Sequence, residues 1–482
     1  MEEQDAHKPD GHFSQLSSTE SPILLDWDGP NDPDNPRNWS LWQRTYHTAV
    51  PSVMCFIVSF GTSVYTPSVS EISLHFRIPR TLALIPLTVY VLGLAFGPLI
   101  SAPISETHGR KIVYLISLPI SMLFTLGAGL SKEFASLVIC RFFAGLFGSP
   151  VLAVGAGTNA DLFMPAQRAV ATSMFMVAPF LGPSLGPFIG GFAAQYKGWR
   201  WTQWCMLFIA APTFVTSLFM KETYKKIVLK KRAKRLGLPV PESGPTVTST
   251  LSMTLFRPIH MLLTEPIVTL LSLYTAYTFA TLFAFFAAFP LIFSRPPYFF
   301  TISQVGLTFL AIGLGVCLGC MTAIIVDRKV YQKKHRKALE KGERYVLPEQ
   351  RLWAAMVGSF GLPIGLFWFG WSAGTGVHWG VPVVGAVWFA WGNMSLFICT
   401  ALYLVDVYGP LNGASAMAAN GMLRYLLGAV FPLFTVQMYQ RLGATWATSL
   451  LGFLSLFMLP IPWVFYKWGP AIRKQSRYPT AM

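Results

Sequence analysis

The sequence predicts an all-α polytopic membrane protein with twelve transmembrane helices in two pseudo-symmetric six-helix halves. The first observation is composition. Of 482 residues, 53% are hydrophobic and only 12% charged, with a mean hydropathy of +0.48; soluble chains carry about 25% charged residues. The second is the run of twelve apolar segments, each near the ~20 residues a helix needs to cross a bilayer. The third is an internal repeat. Pro187 follows Asp161 by 26 residues and Pro432 follows Asp406 by 26, an offset of 245 for both pairs. Glu106 and Asp327 are offset by 221, and the difference of 24 is about the extra length of the basic loop 327–351.

The chain opens with a tail, 1–45, rich in Asp, Glu, Pro and Ser. Its start has the composition of a disordered segment. Its end, Asp26 to Ser40, is more patterned and holds Trp27 and Trp39, which suit an interfacial level. No cleavable leader is expected, because the first forty-odd residues are polar and acidic. The expected spans are 46–67, 81–104, 112–130, 134–158, 169–194 and 202–220, a first half over 46–220. The second half, 262–466, holds 262–293, 303–326, 352–371, 380–405, 414–438 and 446–466. A basic connector, 221–261, divides them, and a short tail, 467–482, ends the chain.

The net charge of +16 does not imply a nucleic-acid partner. Positive residues lie in blocks between apolar runs: Lys225, Lys226, Lys230, Lys231, Arg232, Lys234 and Arg235 in one loop, Arg328, Lys329, Lys333, Lys334, Arg336 and Lys337 in another. The positive-inside rule puts both loops, and with an even number of spans both termini, in the cytosol. The sequon Asn38-Trp-Ser40 would then go unused. All 6 cysteines fall in apolar runs, so no extracellular disulfide framework is indicated. Cys317-x-x-Cys320 reads as small packing residues in a membrane helix. No metal site is expected.

Span five carries Gly182-Pro-Ser-Leu-Gly186-Pro187-Phe-Ile-Gly190-Gly191. Glycines four apart make a flat face for close helix contact. Prolines remove backbone donors and bend a helix that lipid and neighbouring helices can still support. The stretch resembles the fifth-helix motif of proton-coupled antiporters in the major facilitator superfamily, where it acts as a hinge between the moving halves. The loop Ala102-Pro-Ile-Ser-Glu106-Thr-His-Gly109-Arg110-Lys111 resembles the superfamily's cytosolic loop after span two; Ala102 and Thr107 depart from it. That resemblance implies a cytosolic latch in which Glu106 caps a helix near Asn412-Gly413. Asp327-Arg328 is its counterpart in the second half. The segment 26–40 and the run Asn420 to Pro432 resemble fungal members of the twelve-span drug:proton antiporter branch.

Span four contains Arg141 in Leu137-x-x-x-Arg141-Phe-Phe-Ala144-Gly145-x-x-Gly148, which resembles the branch's arginine motif with Ala144 in place of Gln. Span eleven contains Arg424 beside Tyr425. Ionisable residues inside apolar helices are costly and mark function. The spans hold no Asp or Glu well within them, so a polycation would lack a counter-charge at mid-membrane. The expected substrate is therefore a neutral or anionic, aromatic or amphiphilic compound. Arginine stays protonated; Glu71, His47 and Asp161 are the candidates to carry the coupled proton. Aromatic cavity candidates are Tyr90, Tyr274, Tyr277, Phe283, Phe286, Trp388, Trp391, Tyr403 and Tyr425.

The resemblance implies proton-coupled export of a drug or secondary metabolite across the plasma membrane by a monomer in the lipid bilayer, driven by the proton gradient without a cofactor. No nucleotide-binding loop is present, and neither nucleotide nor nucleic acid is expected as a partner. A proton symporter importing a nutrient, and a polyamine exporter, are alternatives on the same fold. An enzyme is not expected, because no H-E-x-x-H or G-x-S-x-G motif occurs. A transporter homologue that only senses its ligand is a further alternative.

Overall fold

The computed structural model of the chain describes residues 26–237, 247–342 and 346–480. The start of the N-terminal tail and the middle of the connector lie outside them. Among the described residues there is no strand, and each expected span falls on helix. Ten stretches are long and apolar enough to cross a membrane. One of them, Asn412–Lys474, is 63 residues long and takes in both the eleventh and twelfth expected spans. The sixth expected span is the 19-residue helix Arg200–Leu218, which lies outside the ten.

Local chemistry explains the breaks. Span four is two helices, Phe134–Gly148 and Pro150–Leu162, and Pro150 stands at a helix start, where its missing N–H costs least. The run Gly380–Met458 is interrupted at Gly409 (φ +67°) and Gly443 (φ +74°). Only glycine adopts such angles cheaply, so these two residues turn the chain between successive spans. Span eight begins at Ile302, where Thr301 and Gln304 form a reciprocal capping box.

Span five is one helix, Pro165–Lys197, despite Pro179, Pro183 and Pro187 inside it. Its glycine row is pressed onto span one. A Cβ on Gly182 would collide with Ser59 Oγ, and one on Gly186 would collide with Ser63 Oγ and lie 2.8 Å from Val64 N. A Cβ on Gly190 would strike the Val64 carbonyl. Ser63 Oγ donates to the Gly182 carbonyl across this seam (3.1 Å). The other edge of the motif meets the second half. Pro187 O stands where a Cβ on Gly306 would go, and a Cβ on Gly191 would lie 3.0 Å from Ile302 O. The motif therefore welds spans one and five with its glycines and touches span eight with Pro187 and Gly191.

Among the described residues, two helix pairs exchange hydrogen bonds between the halves. Spans five and eight share Ser184 Oγ donating to Phe309 O (2.6 Å) and Cys320 Sγ donating to Ser173 O (3.4 Å). Spans two and eleven share Thr88 Oγ1 donating to Ala429 O (3.0 Å), and the Thr81 and Gln437 side chains meet at 3.1 Å.

One end of the molecule is basic. There the helix Lys225–Arg235 buries Leu229 and Ala233, one turn apart, and holds the acidic segment that precedes span one. Arg232 pairs with Asp28 and with Asp32 (2.7 Å), and Lys225 with Asp26 (2.7 Å). Asn38 donates from Nδ2 to the carbonyls of Pro30 (2.8 Å) and Asp32 (2.9 Å). The sequon asparagine is thus the staple of a folded turn.

Candidate functional site

Arg141 is fully buried in the first half. Its Nη2 donates to the Gly61 carbonyl (2.7 Å) and its Nη1 to Gln203 Oε1 (3.3 Å). The guanidinium lies over the rings of Tyr90 (4.3 Å) and Tyr65 (5.2 Å), each a cation–π contact of about 0.5–2 kcal/mol. Tyr90 is held in turn by its hydroxyl donating to the Val58 carbonyl (2.9 Å). Gly61 is needed for this fit, since a Cβ there would collide with the Tyr90 hydroxyl. Spans one, two, four and six thus lock one side chain. Of its donor nitrogens, Nε is left buried and unpartnered.

Arg424 is only part-buried and is held differently. It lies over Phe397 (4.5 Å), Tyr425 (4.9 Å) and Phe279 (5.0 Å), from spans ten, eleven and seven. Its one hydrogen bond among the described residues runs from Nη2 to the Tyr425 hydroxyl (3.3 Å), and its Nε is buried without a partner. No carbonyl or carboxylate answers its charge. One helical turn before it, Asn420 donates from Nδ2 to Thr275 Oγ1 (2.7 Å), while its Oδ1 is buried and unpartnered. Tyr274 hydroxyl, on span seven, is likewise buried and free. Thr278 Oγ1 donates to Asn393 Oδ1 (3.0 Å) alongside. An aromatic wall with a cation and spare polar atoms suits an amphiphilic ligand.

The other expected residues disperse. Phe283 contacts Phe279 and Phe286 and continues the aromatic wall along span seven. Tyr277 instead ties span seven to span twelve, through its hydroxyl and the Leu451 carbonyl. Trp388 is 40% exposed on the outer face of span ten. Trp391 donates to Thr322 Oγ1 (2.9 Å) and packs between spans eight, nine and ten. Tyr403 is at the basic end, its hydroxyl 3.5 Å from Glu349 Oε1. Apolar contact at these four positions goes to neighbouring helices rather than to the space around Arg424.

None of the titratable candidates is among the hydrogen-bond partners of Arg141 or Arg424 in the described residues. His47 accepts the Lys221 backbone N–H at Nε2 (2.8 Å) and contacts the Gln43 carbonyl through Nδ1 (2.8 Å), which fixes the neutral Nδ1-protonated ring at the basic end. Asp161 pairs there with Arg110 (3.2 Å) and accepts from Thr223 Oγ1 (3.4 Å). Glu71 is at the opposite end, beside Gly198.

The basic-end loop is assembled around a residue that motif reading missed. Glu222, just past span six, accepts the backbone N–H groups of Arg110 (2.9 Å) and Lys111 (3.1 Å) and so caps span three. Gly109 has φ +101°, and its missing Cβ leaves the space Glu222 occupies. Glu106, expected to cap span eleven near Asn412-Gly413, is exposed and makes no hydrogen bond to either residue among the described residues. Asn412, its expected neighbour, instead accepts from Arg257 Nη1 (3.4 Å). Lys111 Nζ donates to the Leu218 carbonyl (3.0 Å).

The second half repeats the arrangement with a twist. Arg351 pairs with Asp406 (2.8 Å) as Arg110 pairs with Asp161, and also with Asp327 (2.7 Å). The junction of spans nine and twelve is closed by Arg473 and Glu349 (2.9 Å). Its signs are swapped relative to the first half: the acid now sits at the start of the third helix and the donor follows the last one. Arg328 is exposed.

Comparison with known proteins follows the same lines. The family model described as Major Facilitator Superfamily matches residues 52–432. Polyamine transporter 4 of Saccharomyces cerevisiae is 40% identical over 508 residues, covering 99% of this chain and 77% of that protein. The ascochitine biosynthesis cluster MFS transporter of Didymella fabae is 37% identical over 466 residues, covering 94% and 89%. Among solved structures, the proton:xylose symporter XylE superposes with a TM-score of 0.65 at 14% identity, over 89% of this chain and 97% of that one, a likeness of fold.

Proposed function

Because the chain belongs to the major facilitator superfamily of membrane transporters, we propose that it exports a neutral or anionic, aromatic or amphiphilic organic compound across the plasma membrane by alternating access, in exchange for protons. The observation that carries this reading is Arg424: a cation over three rings, with no acid beside it. An organic anion supplies the missing charge, and an aromatic body continues the stacking. In this reading both termini are cytosolic and the proton gradient is the sole energy source, used by a monomer without a cofactor. The relative from a biosynthesis cluster favours a secondary metabolite as cargo.

Polyamine export is the second reading, favoured by the 40% identical polyamine transporter. Polyamine binding at mid-membrane would require carboxylates well within the spans, where this sequence has none; Glu265 stands at the start of span seven, as the cap of its helix. The test is efflux from proteoliposomes under an imposed pH gradient, with 1-naphthoate and spermidine compared. Gradient-dependent movement of naphthoate, with spermidine ignored, is expected. Robust spermidine transport with naphthoate ignored would overturn the proposal.

A further inference from the structure

A second cation waits at the end opposite the basic one. Arg80 opens the chain into span two and lines a cavity of about 140 Å³ between the halves, with Thr66, Ser70, Pro187, Pro290 and Ser294. A cavity of about 150 Å³ accepts one benzene ring. Among the described residues Arg80 makes no hydrogen bond or ion pair, and the charge acting on it is another guanidinium, Arg295. Arg80 and three hydroxyls line the cavity, and no acid is among its lining residues.

The cavity leads inward. A small void of about 10 Å³ shares Thr66, Arg80 and Pro290 with it and reaches Phe286. Phe286 touches Phe283, Phe283 touches Phe279, and Phe279 lies under Arg424. Positions 279, 283, 286 and 290 recur at helical spacing, so one face of span seven runs from one unopposed arginine to the other. Pro187, at the edge of the span-five motif, forms part of the outer wall.

We infer that Arg80 is the outer subsite for an organic anion, receiving the acid group that leaves Arg424 while the aromatic body slides along span seven. This rests on the proposed export of an anion and on the basic end being cytosolic. A positive mouth also raises the local concentration of anions and lowers that of polycations.

The test separates the subsite from the transport reading. Ser294→Cys in the reconstituted full-length protein is labelled with a sulfonate and with a quaternary-ammonium methanethiosulfonate, and modification at position 294 is read by mass spectrometry. With Arg80 present, the sulfonate is favoured by about tenfold over its preference for a free cysteine, as expected for opposite charges within a few ångströms in water. Arg80→Gln should cut that preference at least about threefold, Arg80→Lys should keep it, and millimolar 1-naphthoate should slow labelling only where position 80 is basic. A preference unchanged by Arg80→Gln would overturn the subsite even if naphthoate transport holds. A preference that falls as expected while proteoliposomes carry no anion would sustain the subsite as an anion site and remove the export reading.

Discussion

Arg141 and Arg424 are both cations inside apolar helices under aromatic rings, yet they are built for different tasks. Arg141 has its charge answered by a carbonyl and an amide from two other spans, behind zero exposure. Arg424 has the same kind of aromatic bed, partial exposure and only a tyrosine hydroxyl. An arginine whose guanidinium reaches acceptors on other helices is a fastener between them. One without such acceptors is a binding group. The lesson is that ionisable residues within a membrane are to be sorted by what their donors reach, not by depth or motif.

That contrast can be broken most sharply by mutation of the pair. Arg424→Ala should reduce naphthoate efflux at least about 100-fold, the scale of a lost charged hydrogen-bonding group of about 3 kcal/mol, with thermal stability changed little. Arg141→Ala should instead strip partners from the Gly61 carbonyl and Gln203 and destabilise the fold by about 2–4 kcal/mol. Melting curves alongside transport would read both; equal stability losses would erase the distinction. Gly186→Val probes the seam beside Arg141's half. Overpacking against Ser63 and Val64 should cost about 1–3 kcal/mol and halt transport, whereas normal efflux would show that spans one and five tolerate separation.

At the basic end the same question is asked of carboxylates. Glu222→Gln should lose about 0.5–2 kcal/mol through a weakened cap on span three, and Glu106→Gln should lose less; the reverse order in thermal unfolding would make Glu106, not Glu222, the acid that holds this end. The smallest effect concerns the tail. The Asp28 backbone N–H, and then Asp34 and Arg232, hold the Asp32 carboxyl below its ordinary range. A depressed value means that its contribution is present above the ordinary carboxylate pKa, about 4, and is lost as the pH falls through the lowered one. Protection of the amides in residues 28–38, taken relative to their intrinsic exchange rates, should therefore fall below about pH 4 and stay flat from pH 5 to 8. Protection that persists at pH 2.5 would show that the turn does not need the charge.

Much of this was legible in the sequence because apolar length and turn chemistry are local. The helices and the close face of Gly182, Gly186 and Gly190 follow from residue type and spacing, whereas span four, expected as one run over 134–158, breaks at Pro150. Arg141 and Arg424 announced themselves as charges in apolar runs. What they bind did not, because their partners come from other helices: the Gly61 carbonyl has no sequence signal, and Gln203 is one amide among many. Glu222 escaped notice because it lies 112 residues beyond the N–H group it caps. Trp388 and Trp391 show the converse, since aromatic identity does not tell which face of a helix a ring occupies.

The clasp between Asp32 and Arg232 has a mechanical consequence. It fastens the start of the connector to the front of span one, so the stretch through Arg235 travels as cargo of the first half rather than as rope between the two. The link between the halves therefore starts after Arg235 rather than at residue 221.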